Sequence, residues 1–188
     1  SGSPRRKELL ALAGFNFTVC PAKGEEVTTK TLPCDIVCEL AHQKAFEIAK
    51  AQKAPCYVIG ADTIVAFENR ILGKPKDSAD AVRMVSMLQG NTHQVYTGVT
   101  LIEVCADGSL REKSFYEETN VHVCQMTKDE IASYVATGEP LDKAGAYGIQ
   151  GTFSIYVSGI EGNYFNVVGL PVSRLYHEFA AFQNAAHK

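Results

Sequence analysis

The 188 residues carry 18 Lys and Arg against 21 Asp and Glu, a net charge of -3, with 46% hydrophobic and 21% charged residues. That balance describes a soluble globular chain, most simply one domain over 1–188, and it argues against broad nucleic-acid or membrane binding. No apolar run reaches the ~18 residues of a membrane span and no signal peptide is visible, so a cytoplasmic location is expected.

In chain order, Ser3 suits an N-cap and Pro4 the first helical position, so Lys7 to Ala13 should be helical and closed by Gly14. Arg5 and Arg6 then sit at the positive end of a helix dipole, where each costs roughly 0.3–1 kcal/mol unless an anion arrives. Two guanidinium groups, bare N–H groups and the Ser3 hydroxyl fit a phosphate cradle, although two solvated surface arginines would read the same way. Phe15 to Pro21 reads as a short strand leading to the loop Lys23-Gly24-Glu25-Glu26, whose paired carboxylates are either solvated or poised for a divalent ion.

A second helix is predicted from Asp35 to Gln52, with an apolar stripe at Val37, Leu40, Ala41, Ala45 and Ile48. Lys44 falls near the centre of that stripe. Its ammonium must find an anion or cavity, or else snorkel to water. A Lys44→Leu variant that lost ligand yet gained stability would support a functional lysine. Cys56 to Phe67 is apolar on both faces and so should be a central strand. Asp62 interrupts it, either as a strand-end cap or as a rigid carboxylate suited to a general base or metal ligand. Gly60, two residues earlier on the same face, is expected to clear space beside it.

Glu68-Asn69-Arg70 reads as a turn and Ile71-Leu72 as a return strand, followed by Gly73-Lys74-Pro75, which sets a lysine on a rigid loop. Asp77 or Ser78 should cap a third helix through Leu88, stopped by Gly90. Val95 to Val104 and Phe115 to Cys124 look like strands joined through Asp107-Gly108. Thr127-Lys128-Asp129-Glu130 is a capping box for a fourth helix to about Thr137. Gly138 to Gly169 is too rich in glycine for regular helix, and Pro171 starts a terminal helix through Phe182. Within that stretch 145–151 is either a glycine-rich loop of no evident purpose or a place where glycines let backbone approach a ligand and the Gln150 amide can read a base edge. Helices interleaved with strands predict an α/β or α+β layering around one mixed sheet.

The six cysteines show no C-x-x-C and no zinc-like spacing, so reduced thiols are expected. The histidines, His42, His93, His122, His177 and His187, are scattered. Any metal should therefore be a hard ion on oxygen ligands.

Taken together, Ser1-Gly2-Ser3-Pro4-Arg5-Arg6, Gly60-Ala61-Asp62-Thr63-Ile64-Val65, Gly73-Lys74-Pro75, Thr97-Gly98, the run Thr137 to Gly151 and Val167-Val168-Gly169-Leu170-Pro171 resemble the Maf family of nucleoside triphosphate pyrophosphatases. The resemblance implies a two-lobed α/β fold, a twisted mixed sheet flanked by helices, a nucleotide cleft between lobes and a homodimer. It implies hydrolysis of a nucleoside triphosphate to the monophosphate and pyrophosphate with a divalent cation, Mg²⁺ or Mn²⁺. Position by position, Asp62 matches the proton acceptor, and Arg5, Thr63 and Gln150 match base-selectivity positions. Ser3, Arg6, Glu26, Lys44 and Lys74 match positions lining the phosphate and metal site, with Glu26 and Asp62 as the metal ligands. The Asp-Thr pair with Gln150 resembles the branch acting on dTTP and UTP. Members usually carry a short apolar strand ahead of the serine motif; the sequence here starts at Ser1, so either that strand is lacking or the start is trimmed. Two other readings are a nucleotide-binding regulator of cell division without essential turnover, and a pyrophosphatase for a modified purine triphosphate.

Overall fold

The computed structural model describes residues 2–53 and 55–185, so Ser1, which opens the serine motif, and His187 lie outside the described residues. In chain order the elements are α1 (Pro4–Leu12), α2 (Pro33–Lys50), β1 (Cys56–Phe67), β2 (Arg70–Leu72), α3 (Ser78–Leu88), β3 (Thr92–Val104), β4 (Leu110–Val123), α4 (Lys128–Ala136), β5 (Val157–Glu161), α5 (Tyr164–Val168) and α6 (Val172–Asn184). The strands form one sheet in the order β2-β1-β3-β4-β5. Pairing is antiparallel at β1–β2 and β4–β5. The α/β class is therefore present, and β1 has a neighbour on each side, as its apolar run predicts.

The chain divides into two compact units, one of Ser1–Asp62, Thr97–Glu117 and Gly169–Lys188, the other of Thr63–Tyr96 and Glu118–Val168. In the first unit, α1 begins as its sequence dictates, with Ser3 as N-cap accepting from the Arg6 N–H at 3.5 Å and Gly14 at φ +78° beyond its end. Helix α2 carries Asp35 in its first turn and Lys50 in its last, both matched to the dipole. It buries Val37, Leu40, Ala41, Ala45 and Ala49. Two glycines let it lie close on the strands. A Cβ on Gly60 would meet the Ala41 carbonyl oxygen at 2.4 Å, and one on Gly98 the Val37 carbonyl oxygen at 2.2 Å. Gly60 thus admits α2 rather than clearing space beside Asp62.

The strand expected over Phe15 to Pro21 is absent; these residues have no regular structure. Phe15 and Phe17 alternate half-buried with exposed neighbours, as a strand would, and the Phe15 ring packs edge-on against Phe179 of α6 at 5.4 Å. Alternation sets which side chains face inward, but a strand also needs a ladder partner, and none runs beside this segment among the described residues.

In the second unit, Glu68 and Asn69 have φ of +48° and +60°, so β1 and β2 turn through a two-residue hairpin with Phe67 opposite Arg70. The Thr127–Glu130 capping box opens α4 as predicted. Between α4 and α6 the glycine-rich region is not wholly irregular. It holds three short 3-10 turns, α5, and a strand that sequence reading missed, β5, paired with Asn120 to Val123 across a bulge. Phe153, fully buried, packs against Tyr134 and Tyr147 at the centre of this unit. No helix among the described residues is long and apolar enough to cross a membrane.

Candidate active site

The lysine that sequence places on an apolar helix face has found its anions. Lys44 Nζ stands 2.6 Å from Asp62 Oδ1 on β1 and 2.9 Å from Glu26 Oε1 on the preceding loop. The pair is shielded: Asp62 is 8% exposed as a residue, while the Lys44 side chain is 24% exposed. Asp62 therefore does not cap a strand end. It is held inside β1, where the approach of α2 over Gly60 sets Lys44 beside it.

Glu26 reaches this cluster because α2 also organises its loop. Glu47 accepts from the backbone N–H groups of Lys23 and Gly24, each at 2.9 Å, and those two bonds hold its carboxyl below the ordinary value. Gln43 accepts from the Val27 N–H and donates to the Val27 carbonyl. Gln43, Lys44 and Glu47 thus form one stretch of α2 that holds the loop and its Glu26 carboxylate. Sequence analysis singled out only Lys44, because polar residues on a half-exposed helix face look like ordinary solvated surface.

The two arginines of α1 part company. Arg6 donates through Nε to the Gly169 carbonyl at 2.8 Å and through Nη1 to the Ala61 carbonyl at 2.9 Å. Burial lowers its pKa, Asp62 and Glu26 raise it again, and Arg5 lowers it further, so all four charges share one electrostatic neighbourhood. The Arg5 side chain makes no hydrogen bond or ion pair with the described residues. Ser3 is engaged in capping α1. Arg6, Glu26 and Lys44 also line a cavity of about 940 Å³ in the first unit, together with Gly60, Ala61 and Leu170.

The structure thus brings together Arg6, Glu26, Lys44 and Asp62 in the first unit, to which Ser3 and Arg5 also belong. Thr63, Lys74 and Gln150 belong to the second. Lys74 is exposed on the loop after β2, whose Gly73 carbonyl accepts from the Gly145 N–H at 3.1 Å. Gln150 is exposed at the end of a turn, closed by a Gly151 N–H bond to the Gly148 carbonyl at 3.1 Å.

Among the described residues no group of three or more His, Cys, Asp or Glu side chains forms a ready metal cage. Glu26 and Asp62 do supply hard oxygen donors, and because both touch one nitrogen they lie within two hydrogen-bond lengths of each other. That donor set fits a Mg²⁺-like ion that brings part of its own coordination shell, as Mg²⁺ does when phosphates share its binding. A strand-held carboxylate, a second carboxylate on a loop and a lysine between them make a class of site suited to a polyanion and a divalent cation.

Comparison with known sequences gives the family. A profile described as "Maf-like protein" matches residues 1–182, and the chain belongs to the Maf family. It is similar to a dTTP/UTP pyrophosphatase of Agathobacter rectalis, 54% identical over 95% of this chain and 93% of that protein. Proteins of the same name from Lachnoclostridium phytofermentans and Bacillus cytotoxicus are each 50% identical. These alignments cover 97% and 99% of this chain, and 92% and 95% of those proteins.

Proposed function

We propose that this chain is a nucleoside triphosphate pyrophosphatase that hydrolyses dTTP and UTP to the monophosphate and pyrophosphate, using a divalent cation such as Mg²⁺ or Mn²⁺. The observation that carries the reading is the Lys44 ammonium joined at once to Asp62 and Glu26. The names of relatives at 50–54% identity support the substrate class. Water attacks the α-phosphorus, its bond to the bridging oxygen of pyrophosphate breaks, and the electron pair leaves with pyrophosphate. Asp62 accepts the proton of the attacking water. Glu26 and Asp62 would hold the cation, which neutralises charge on the phosphate oxygens.

Arg5, Lys44 and Lys74 grip the triphosphate, and Arg6 adds positive charge from its backbone-anchored position, with Ser3 beside it. Phosphoryl transfer of this kind depends mainly on such positioning and neutralisation. Arg5, Thr63 and Gln150 serve base selectivity, and the Gln150 amide can both donate and accept toward a uracil or thymine edge. UTP and dTTP differ in the base by one methyl, so discrimination between them is expected to be weak. Residues 1–188 acting as one domain, a homodimeric state and a cytoplasmic location complete the reading. The six free thiols fit a reducing compartment.

The test is pyrophosphate release from a panel of triphosphates by the native protein and by Asp62→Asn. Loss of turnover by about 10²–10⁴-fold in the variant is expected for a general base. Equal turnover would remove Asp62 from the chemistry. No release from any triphosphate would favour a nucleotide-binding regulator, and a strong purine preference would overturn the assignment of Gln150.

A further inference from the structure

The turn that carries Gln150 is thin. Its own closure is the single Gly151 to Gly148 backbone bond, and the Gln150 amide makes no hydrogen bond with the described residues. What orients the turn lies just beyond it. Thr152 donates to Glu139 Oε2 through both its backbone N–H and its hydroxyl, each at 2.7 Å. The other carboxylate oxygen, Oε1, accepts from the Tyr134 hydroxyl at 3.2 Å. The carboxylate also lies flat against Gly151: a Cβ there would meet its oxygens at 2.2 and 2.4 Å. Glu139 therefore touches both residues that follow Gln150.

Glu139 is itself immobilised. It follows Gly138, whose φ of +76° ends the α4 segment, and its own carbonyl accepts from Lys143 Nζ at 2.7 Å. Burial alone would push its carboxyl up, but the bonds from Thr152 and Tyr134, with Lys143 nearby, outweigh this and hold it low. On the other side of the turn Ile149 is buried, and Tyr147 is bonded to His93 at 2.7 Å. An exposed amide set on so rigid a base is pre-organised for a ligand, because less ordering is left to be done when the ligand binds.

We propose that Glu139 is the positioning residue for Gln150, and that the preference for a pyrimidine over a purine triphosphate depends on its clamp on Gly151 and Thr152. This rests on the reading of Gln150 as the group that recognises the base.

The experiment measures kcat and KM for UTP, dTTP and GTP in Glu139→Gln, Gln150→Ala and the double variant. Thr152→Val, which removes only the hydroxyl donor, is measured beside them. Glu139→Gln should lower the UTP-over-GTP preference by about tenfold, chiefly through KM for UTP, as expected when a recognition hydrogen bond is misplaced. In the Gln150→Ala background the same change should lower the preference no further. Thr152→Val should shift it in the same direction by a smaller factor, and it decides the matter if Glu139→Gln does not fold. The inference is overturned if Glu139→Gln or Thr152→Val slows all three substrates equally while Gln150→Ala alone erases the preference. If Gln150→Ala leaves the preference intact, the base-reading role of Gln150 fails and the inference fails with it.

Discussion

Replacing Lys44 by methionine keeps most of its buried stem and removes the charge that separates two carboxylates. Exposed ion pairs contribute about 0–1 kcal/mol, whereas removing one partner of a fully buried pair costs about 3–5 kcal/mol. The Lys44–Asp62 pair lies between these limits, with side chains 24% and 11% exposed, and Glu26 at 52% adds little. A loss of about 2 kcal/mol is expected, or a Tm lower by roughly 4–8 °C for a chain of this size. Adding Asp62→Asn to Lys44→Met should recover at least about 1 kcal/mol, since the uncompensated carboxylate is then gone. The assay is urea denaturation of the parent, both single variants and the double variant, with pyrophosphate release measured alongside. Activity should fall in all three variants, whereas stability should fall and then partly return. A Lys44→Met protein as stable as the parent, or more so, would refute the reasoning, because the ion pair with Asp62 would then contribute nothing to the fold.

Two further outcomes are expected. Arg5→Ala should change stability by no more than about 0.5 kcal/mol while weakening triphosphate binding, whereas Arg6→Ala, which removes partly buried donors to the Ala61 and Gly169 carbonyls, should destabilise by about 1–3 kcal/mol; denaturation midpoints beside KM for UTP separate the two. Burial holds the fully enclosed His93 down to about 4, against its ordinary 6.5. Between those values the unfolded chain binds a proton that the folded protein does not. Stability should be complete above pH 6.5 and fall by up to roughly 3 kcal/mol as pH drops toward 4. In His93→Gln this slope should flatten, and an unchanged slope would remove His93 as its cause.

Much of the fold was legible because its signals are short-range. The apolar run Cys56–Phe67, the Thr127–Glu130 box, Asp77 capping α3 and the Ser-Pro start of α1 each depend on residues within a few positions of one another. Phe15 to Pro21 failed for the converse reason: its alternation was real, but a ladder partner is a property of the assembled sheet. Strand β5 was hidden for a similar reason, since Val157-Ser158-Gly159-Ile160-Glu161 becomes a strand by pairing with β4 and not by its own propensity.

The site divides along the same line. By itself the sequence determined that Asp62 sits in a buried strand, that Lys44 sits on a helix face meant for the core, and that the family motifs occur in order. Only the tertiary structure decided their partners. Lys44 meets Asp62 because two glycines admit α2 onto the sheet, and Arg6 turns from the helix end to a carbonyl 163 residues away. Side-chain type sets what a residue needs, a counter-charge or an acceptor, over a reach of a few ångströms. Which group stands within that reach is settled by backbone packing between segments distant in sequence, and no local pattern encodes it.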